Sequence, residues 1–221
     1  MNVKLLPKLI AKETKFVFSN RATFVSIGIY IVLMANIFHS HAGVFKELFP
    51  QLIAITTFLL FSFTFSSQLF LSEKINNTLE FLLTTPLSFS EIVFGKTLSI
   101  LFFSSAFSLL LSLIFSILNF GMGYLIRQIA FMLLLLLILN VLFFPFLNVI
   151  AVFQMIFGQT AALVFNLLFF LGFFKLKIIL GIFKNFNAIA GLFVLSGIAI
   201  LYFIEYYIFN KITYERLINN A

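Results

Sequence analysis

Long unbroken apolar runs alternate along the chain with short polar stretches, and the lengths of the runs decide the first reading. A helix rises about 1.5 Å per residue, so a hydrocarbon layer of about 30 Å takes roughly 20 residues. Six runs meet or approach that length: residues 22–38, 49–71, 92–119, 128–152, 158–174 and 188–209. They predict an all-α integral membrane protein with about six transmembrane helices, one domain over residues 1–221. The fifth run is the least well marked. Apolar character continues through 175–183, a segment that either lengthens the span or dips into the membrane without crossing it. No internal repeat or low-complexity linker divides the chain.

Ahead of the first run, Lys4, Lys8, Lys12 and Lys15 recur at helical spacing among Leu5, Leu6, Leu9 and Phe16. This predicts an amphipathic helix over 3–20 lying on a membrane face, with Pro7 in its first turn. A signal peptide would instead show a short apolar core followed by a small-residue cleavage site.

The polar island at 72–91, "SEKINNTLEFLLTTPLSFSE", has its own internal order. The Thr78 hydroxyl is placed to accept from a backbone N–H at a helix start, and Glu80 falls in the first turn, where the helix dipole favours an anion. Leu79, Leu82 and Leu83 share an apolar face. Thr85 precedes Pro86, which disfavours further helix. The prediction is a short amphipathic helix of about two turns. After the break, Ser88 and Glu91 have the spacing of a capping box, and Leu87 and Ile92 stand at hydrophobic-staple positions. A second helix is therefore expected to start at Ser88 and run into the third span. Lys96, about two turns along, is expected to extend its stem back to the headgroups.

Composition agrees with a membrane protein: 62% of the 221 residues are hydrophobic and 10% are charged. Mean hydropathy is +1.18, more than a soluble core can use. With no cysteine, disulfides, iron–sulfur clusters and thiolate metal sites are excluded. Lys and Arg number 14 against 7 acidic residues, all Glu. The excess sits in the short polar segments, where it sets membrane orientation rather than binding nucleic acid. With a cytoplasmic N-terminus, the inner segments hold Lys4, Lys8, Lys12, Lys15, Arg21, Lys74, Lys96, Lys211 and Arg216. The outer ones hold only Lys46, Arg127, Lys175, Lys177 and Lys184. Both termini and the 72–91 island are thus expected on the cytoplasmic side of the cell membrane.

Candidate chemistry is sparse. His39 and His41 form H-x-H with no third ligand nearby, so no metal site is expected. Asn76-Asn77-Thr78 has the glycosylation pattern but is expected on the wrong side of the membrane for use. Asn36, Gln68, Asn140, Asn148, Gln154 and Asn166 fall in or at the edges of the spans, where interhelical hydrogen bonding is the common reason for an amide. Asn140 and Asn166 are also carried as candidates for lining a pathway. Glu205, the one acidic residue inside a span, lies toward the cytoplasmic end beside Tyr206 and Tyr207, at a depth that permits snorkelling. No span shows the series of carboxylates that a proton-coupled carrier would want. Nor is there a G-x-x-x-x-G-K-[ST] loop, or any Asp for a Walker B role, so this chain does not hydrolyse ATP by that route.

The stretch "EKINNTLEFLLTTPLSFSEIVFGK" resembles a pattern that marks the membrane subunits of ABC-2 type transporters, E-K-x-x-G-T-L-E-x-L-L-x-(S/T)-P-L-S-x-x-E-I-x-x-G-K. Glu73, Lys74, Thr78, Leu79, Glu80, Leu82, Leu83, Pro86, Leu87, Ser88, Glu91, Ile92, Gly95 and Lys96 all match. Asn77 stands where the family usually has Gly, and Asn tolerates the left-handed backbone better than other side chains. The six-span layout, the basic N-terminus and the closing "KITYERLI" extend the likeness. The resemblance implies a permease half that works as a pair, with itself or with a similar subunit. It implies coupling through Glu73, Thr78, Leu79, Glu80, Leu82, Leu83, Pro86 and Leu87 to a separate ATP-binding subunit, which would hold ATP and Mg. No cofactor is implied on this chain. Other readings stay open: a haem-exporter-type B subunit of cytochrome c maturation, a membrane scaffold that only recruits a partner, or a stand-alone secondary carrier. The substrate is not legible.

Overall fold

Four helices account for most of the positions that the structure, a computed structural model, describes. Those positions are residues 49–75, 88–158 and 188–211, together with 25, 28, 29, 160 and 164. The helices are α1 (Phe49–Ile75), α2 (Phe89–Phe120), α3 (Met122–Phe157) and α4 (Ala188–Lys211), and no strand occurs among the described residues. Three of them, α1 to α3, contain segments long and apolar enough to cross a membrane. At about 1.5 Å per residue, α2 and α3 run to roughly 48 and 54 Å, longer than a hydrocarbon core. The expected spans at 22–38 and 158–174 lie outside the described residues apart from isolated positions, as does the interfacial helix at 3–20.

The ends of α2 and α3 follow from local chemistry. Gly121 alone joins the two helices. Its φ is 79°, and its N–H donates to the Ile117 carbonyl at 3.1 Å. Gly158 closes α3 in the same manner, with φ 63° and a 2.8 Å bond to the Gln154 carbonyl. A left-handed residue that returns its N–H to the last turn is a common helix stop, and glycine adopts it without a Cβ penalty. Because one residue suffices for this turn, α3 begins six residues before the span expected from 128. Pro145 lies buried inside α3, where it withholds the N–H that would bond to Val141 and favours a local bend.

The chain divides into two units, one built from residues 1–65 and 95–143, the other from 66–94 and 144–221. Within the first, aromatic packing dominates. The Phe61 ring stacks on Phe65 at 5.4 Å and on Phe107 at 5.1 Å, and Phe58 meets Phe143 edge-on at 5.6 Å. Hydroxyls and amides tie the helices together here: Ser108 donates to the Ala54 carbonyl at 2.5 Å, and Gln51 to Gln128 at 3.0 Å. Thr97, Ser104, Ser108, Ser112 and Ser116 are all buried along α2. Lys96 departs from expectation. Its side chain is 1% exposed, packed against protein instead of lying free along the helix surface.

In the second unit Phe94 contacts Phe144 at 5.7 Å and Phe209 at 5.1 Å, and Phe89 lies 5.9 Å from Phe209. Ser66 donates to the Gln154 side-chain oxygen at 3.1 Å, and the Gln154 amide donates to Ser67 at 3.4 Å. These bonds join α1 to α3 where hydrocarbon would leave each group unmet.

Candidate coupling segment and intramembrane polar sites

The best-defined feature near the island is the start of α2. Ser88 is its N-cap and Glu91 its third helical residue. Glu91 Oε2 accepts from the Ser88 backbone N–H at 2.9 Å and from the Ser88 hydroxyl at 3.0 Å. In return the Glu91 N–H donates to Ser88 Oγ at 3.3 Å. The first intrahelical bond follows, from Ile92 N–H to the Ser88 carbonyl at 3.1 Å. This reciprocal pair satisfies two donors that a helix start otherwise leaves open, and it places a carboxylate at the positive end of the helix dipole. Ile92, the residue after Glu91, is buried at 2%.

The opposite side of the island is the last turn of α1, which carries Glu73 in its backbone. Thr78, Leu79, Glu80, Leu82, Leu83, Pro86 and Leu87 lie outside the described residues, and so do His39, His41 and Asn166. Among the described residues no group of three His, Cys, Asp or Glu side chains forms a cluster that could hold a metal ion.

Asn140 is half-buried in the first unit. Its amide donates to Ser105 Oγ at 2.8 Å and to the Leu136 carbonyl at 2.8 Å, and its oxygen lies 3.1 Å from the Ser105 hydroxyl. Asn148 and Glu205 are brought together in the second unit, Asn148 Nδ2 donating to Glu205 Oε1 at 2.7 Å. Sequence reading named both residues separately but had no means of pairing positions 57 apart. The pairing of Gln154 with Ser66 and Ser67 was missed for the same reason.

These polar groups sit inside long apolar helices and are tied to each other by hydrogen bonds. Residues 11–175 match the family model described as ABC-2 family transporter protein, which covers well over half of the chain. The chain belongs to that family. The matched stretch contains α1, α2, α3 and the whole 72–91 island, while α4 lies beyond it. No curated protein and no solved structure matches the chain. As an ABC-2 type permease it is a multi-pass membrane protein, the membrane subunit of a transporter.

Proposed function

We propose that this ABC-2 permease is the membrane half of an ATP-driven exporter in the cytoplasmic membrane, powered by a separate ATP-binding subunit. Family membership carries the reading. This sequence carries no phosphate-binding loop, so in this reading ATP and Mg would be held on a partner subunit. Two permease copies, or this chain and a similar one, would enclose the pathway. Closure of the ATP-binding subunits would press on the helix expected around residues 78–85, with Glu73, Thr78, Leu79, Glu80, Leu82, Leu83, Pro86 and Leu87 at or beside the contact. The Ser88–Glu91 cap supports this role, because a firmly started α2 passes a push at its end into the membrane instead of fraying. Alternating access would follow from movement of α1 and α2, with both termini on the cytoplasmic side.

The test is co-purification of the tagged protein in mild detergent, comparing wild type with Glu80→Arg combined with Leu83→Asp. Wild type is expected to bring down a subunit carrying a phosphate-binding loop and ATPase activity, and the double variant to lose it while remaining folded in the membrane. Absence of such a subunit from the wild-type preparation would refute the ATP-driven reading in favour of a scaffold or carrier.

A further inference from the structure

Glu205 on α4 is 5% exposed and Asn148 on α3 is fully buried, both within the second unit. The amide nitrogen of Asn148 serves the carboxylate at 2.7 Å. Its oxygen, Oδ1, is buried and has no hydrogen-bond partner among the described residues. The burial and the unpartnered Oδ1 both count against an ionised Glu205. A carboxylate inside a membrane span is expensive, and a single N–H donor does little to offset it. A buried acceptor without a donor is uncommon in its own right.

A carboxylic acid and a primary amide are complementary. The acid carbonyl accepts from the amide N–H, and the acid O–H donates to the amide oxygen, which closes a ring of two hydrogen bonds. The first of these bonds is present. The second needs a proton on Oε2, and its acceptor would be the very atom that stands unpartnered. Among the described residues no other hydrogen bond to the carboxylate compensates it. Residues 144–157 of α3 contain no titratable side chain. On α4, Tyr202 is within electrostatic reach of the carboxylate, Tyr206 and Tyr207 are exposed, and the Lys211 ammonium lies over the Tyr207 ring at 5.7 Å. Glu91 on α2 is occupied by its own cap, and Glu73 and Lys74 stand on the last turn of α1. Among the described residues, Asn148 is the group bonded to Glu205.

We infer that the Glu205–Asn148 pair is a proton-binding site. Glu205 takes one proton from water onto Oε2, passes from charge −1 to neutral, and donates to Asn148 Oδ1. The contact between α3 and α4 then holds two hydrogen bonds in the protonated state and one in the ionised state, which gives the permease a proton-responsive link that ATP-driven transport does not itself require.

Infrared spectroscopy of the full-length chain in lipid nanodiscs at pH 7 tests this. The expected result is a protonated-carboxyl stretch in wild type that shifts in D₂O and disappears in Glu205→Gln. The same band should move to higher frequency in Asn148→Leu, where the acid loses its partner. Should Glu205→Gln fail to fold, ¹³C labelling of the glutamate carboxyls keeps the assay decisive, since the labelled acid band must still move in Asn148→Leu. A wild-type spectrum without an acid band overturns the proposal, as does a band that survives Glu205→Gln or ignores Asn148→Leu. A band that is absent in Na⁺ buffer and present only in choline assigns the site to a monovalent cation and equally overturns the proton reading.

Discussion

Helices α1 and α3 are both apolar and both long enough to cross a bilayer, yet they use those properties in opposite ways. In α1, 61% of the most apolar window is buried within the protein, whereas in α3 the figure is 17%. The buried helix is the more polar of the two. It hides Thr56, Thr57, Ser62 and Ser66 together with Phe58, Phe61 and Phe65, while α3 displays Phe131, Leu133, Leu134, Leu137, Ile138 and Val141. In water the most hydrophobic element would seek the interior. In lipid, hydrocarbon outside is as apolar as a leucine inside, so little is gained by burying one. Polar side chains and close-fitting rings do gain from being inside, the first through hydrogen bonds and the second through packing. Apolarity in this chain therefore reports how much lipid a helix meets, not how central it is.

That contrast is open to direct challenge. Truncating Phe61, which stacks on two neighbouring rings, should destabilise the protein by roughly 2 kcal/mol or more, the packing share of a buried Phe→Ala change. Leu137→Ala on the exposed face of α3 should stay within about 0.5 kcal/mol. Equal losses in a denaturant titration in mixed micelles would abolish the distinction between the two helices. A smaller effect is expected at the point where α3 turns polar. Gln154→Leu removes the bonds to Ser66 and Ser67 and should cost on the order of 1 kcal/mol, near the upper part of the range for hydrogen bonds between membrane helices. No change in the same titration would mean that these bonds are replaced without loss. The smallest effect has the opposite sign. Ser62 Oγ is buried without a partner among the described residues, so Ser62→Ala should leave stability unchanged or raise it by a few tenths of a kcal/mol. A clear loss would show that the hydroxyl has a partner when the protein sits in its membrane.

Much of this arrangement was legible from local pattern. Run length located α1, α2, α3 and α4, because a span must match a fixed thickness whatever it packs against. Ser88 and Glu91 were legible because a cap involves residues three apart. What pattern does not carry is which side of a helix meets protein. Lys96 shows this: its distance from the polar island predicts a side chain extended to the headgroups, but its burial depends on neighbours remote in sequence. The pairing of Asn148 with Glu205 depends on contact between α3 and α4, for which neither residue carries a local signal. The apolar segment of α3 begins at Gln128 as its run predicts, and the helix extends six residues further back because a single left-handed Gly121 completes the turn. The helix expected at 78–85 lies outside the described residues and rests on its sequence alone.

Its position relative to the membrane can be measured in a chain that has no cysteine to interfere. A single Leu83→Cys variant would be exposed to a membrane-impermeant maleimide in right-side-out and inverted vesicles. Labelling in inverted vesicles alone, suppressed when the ATP-binding subunit is co-expressed, is the result predicted for a segment that takes its push from the cytoplasm. Labelling only in right-side-out vesicles would put the segment on the face without ATP, and the coupling account would fall.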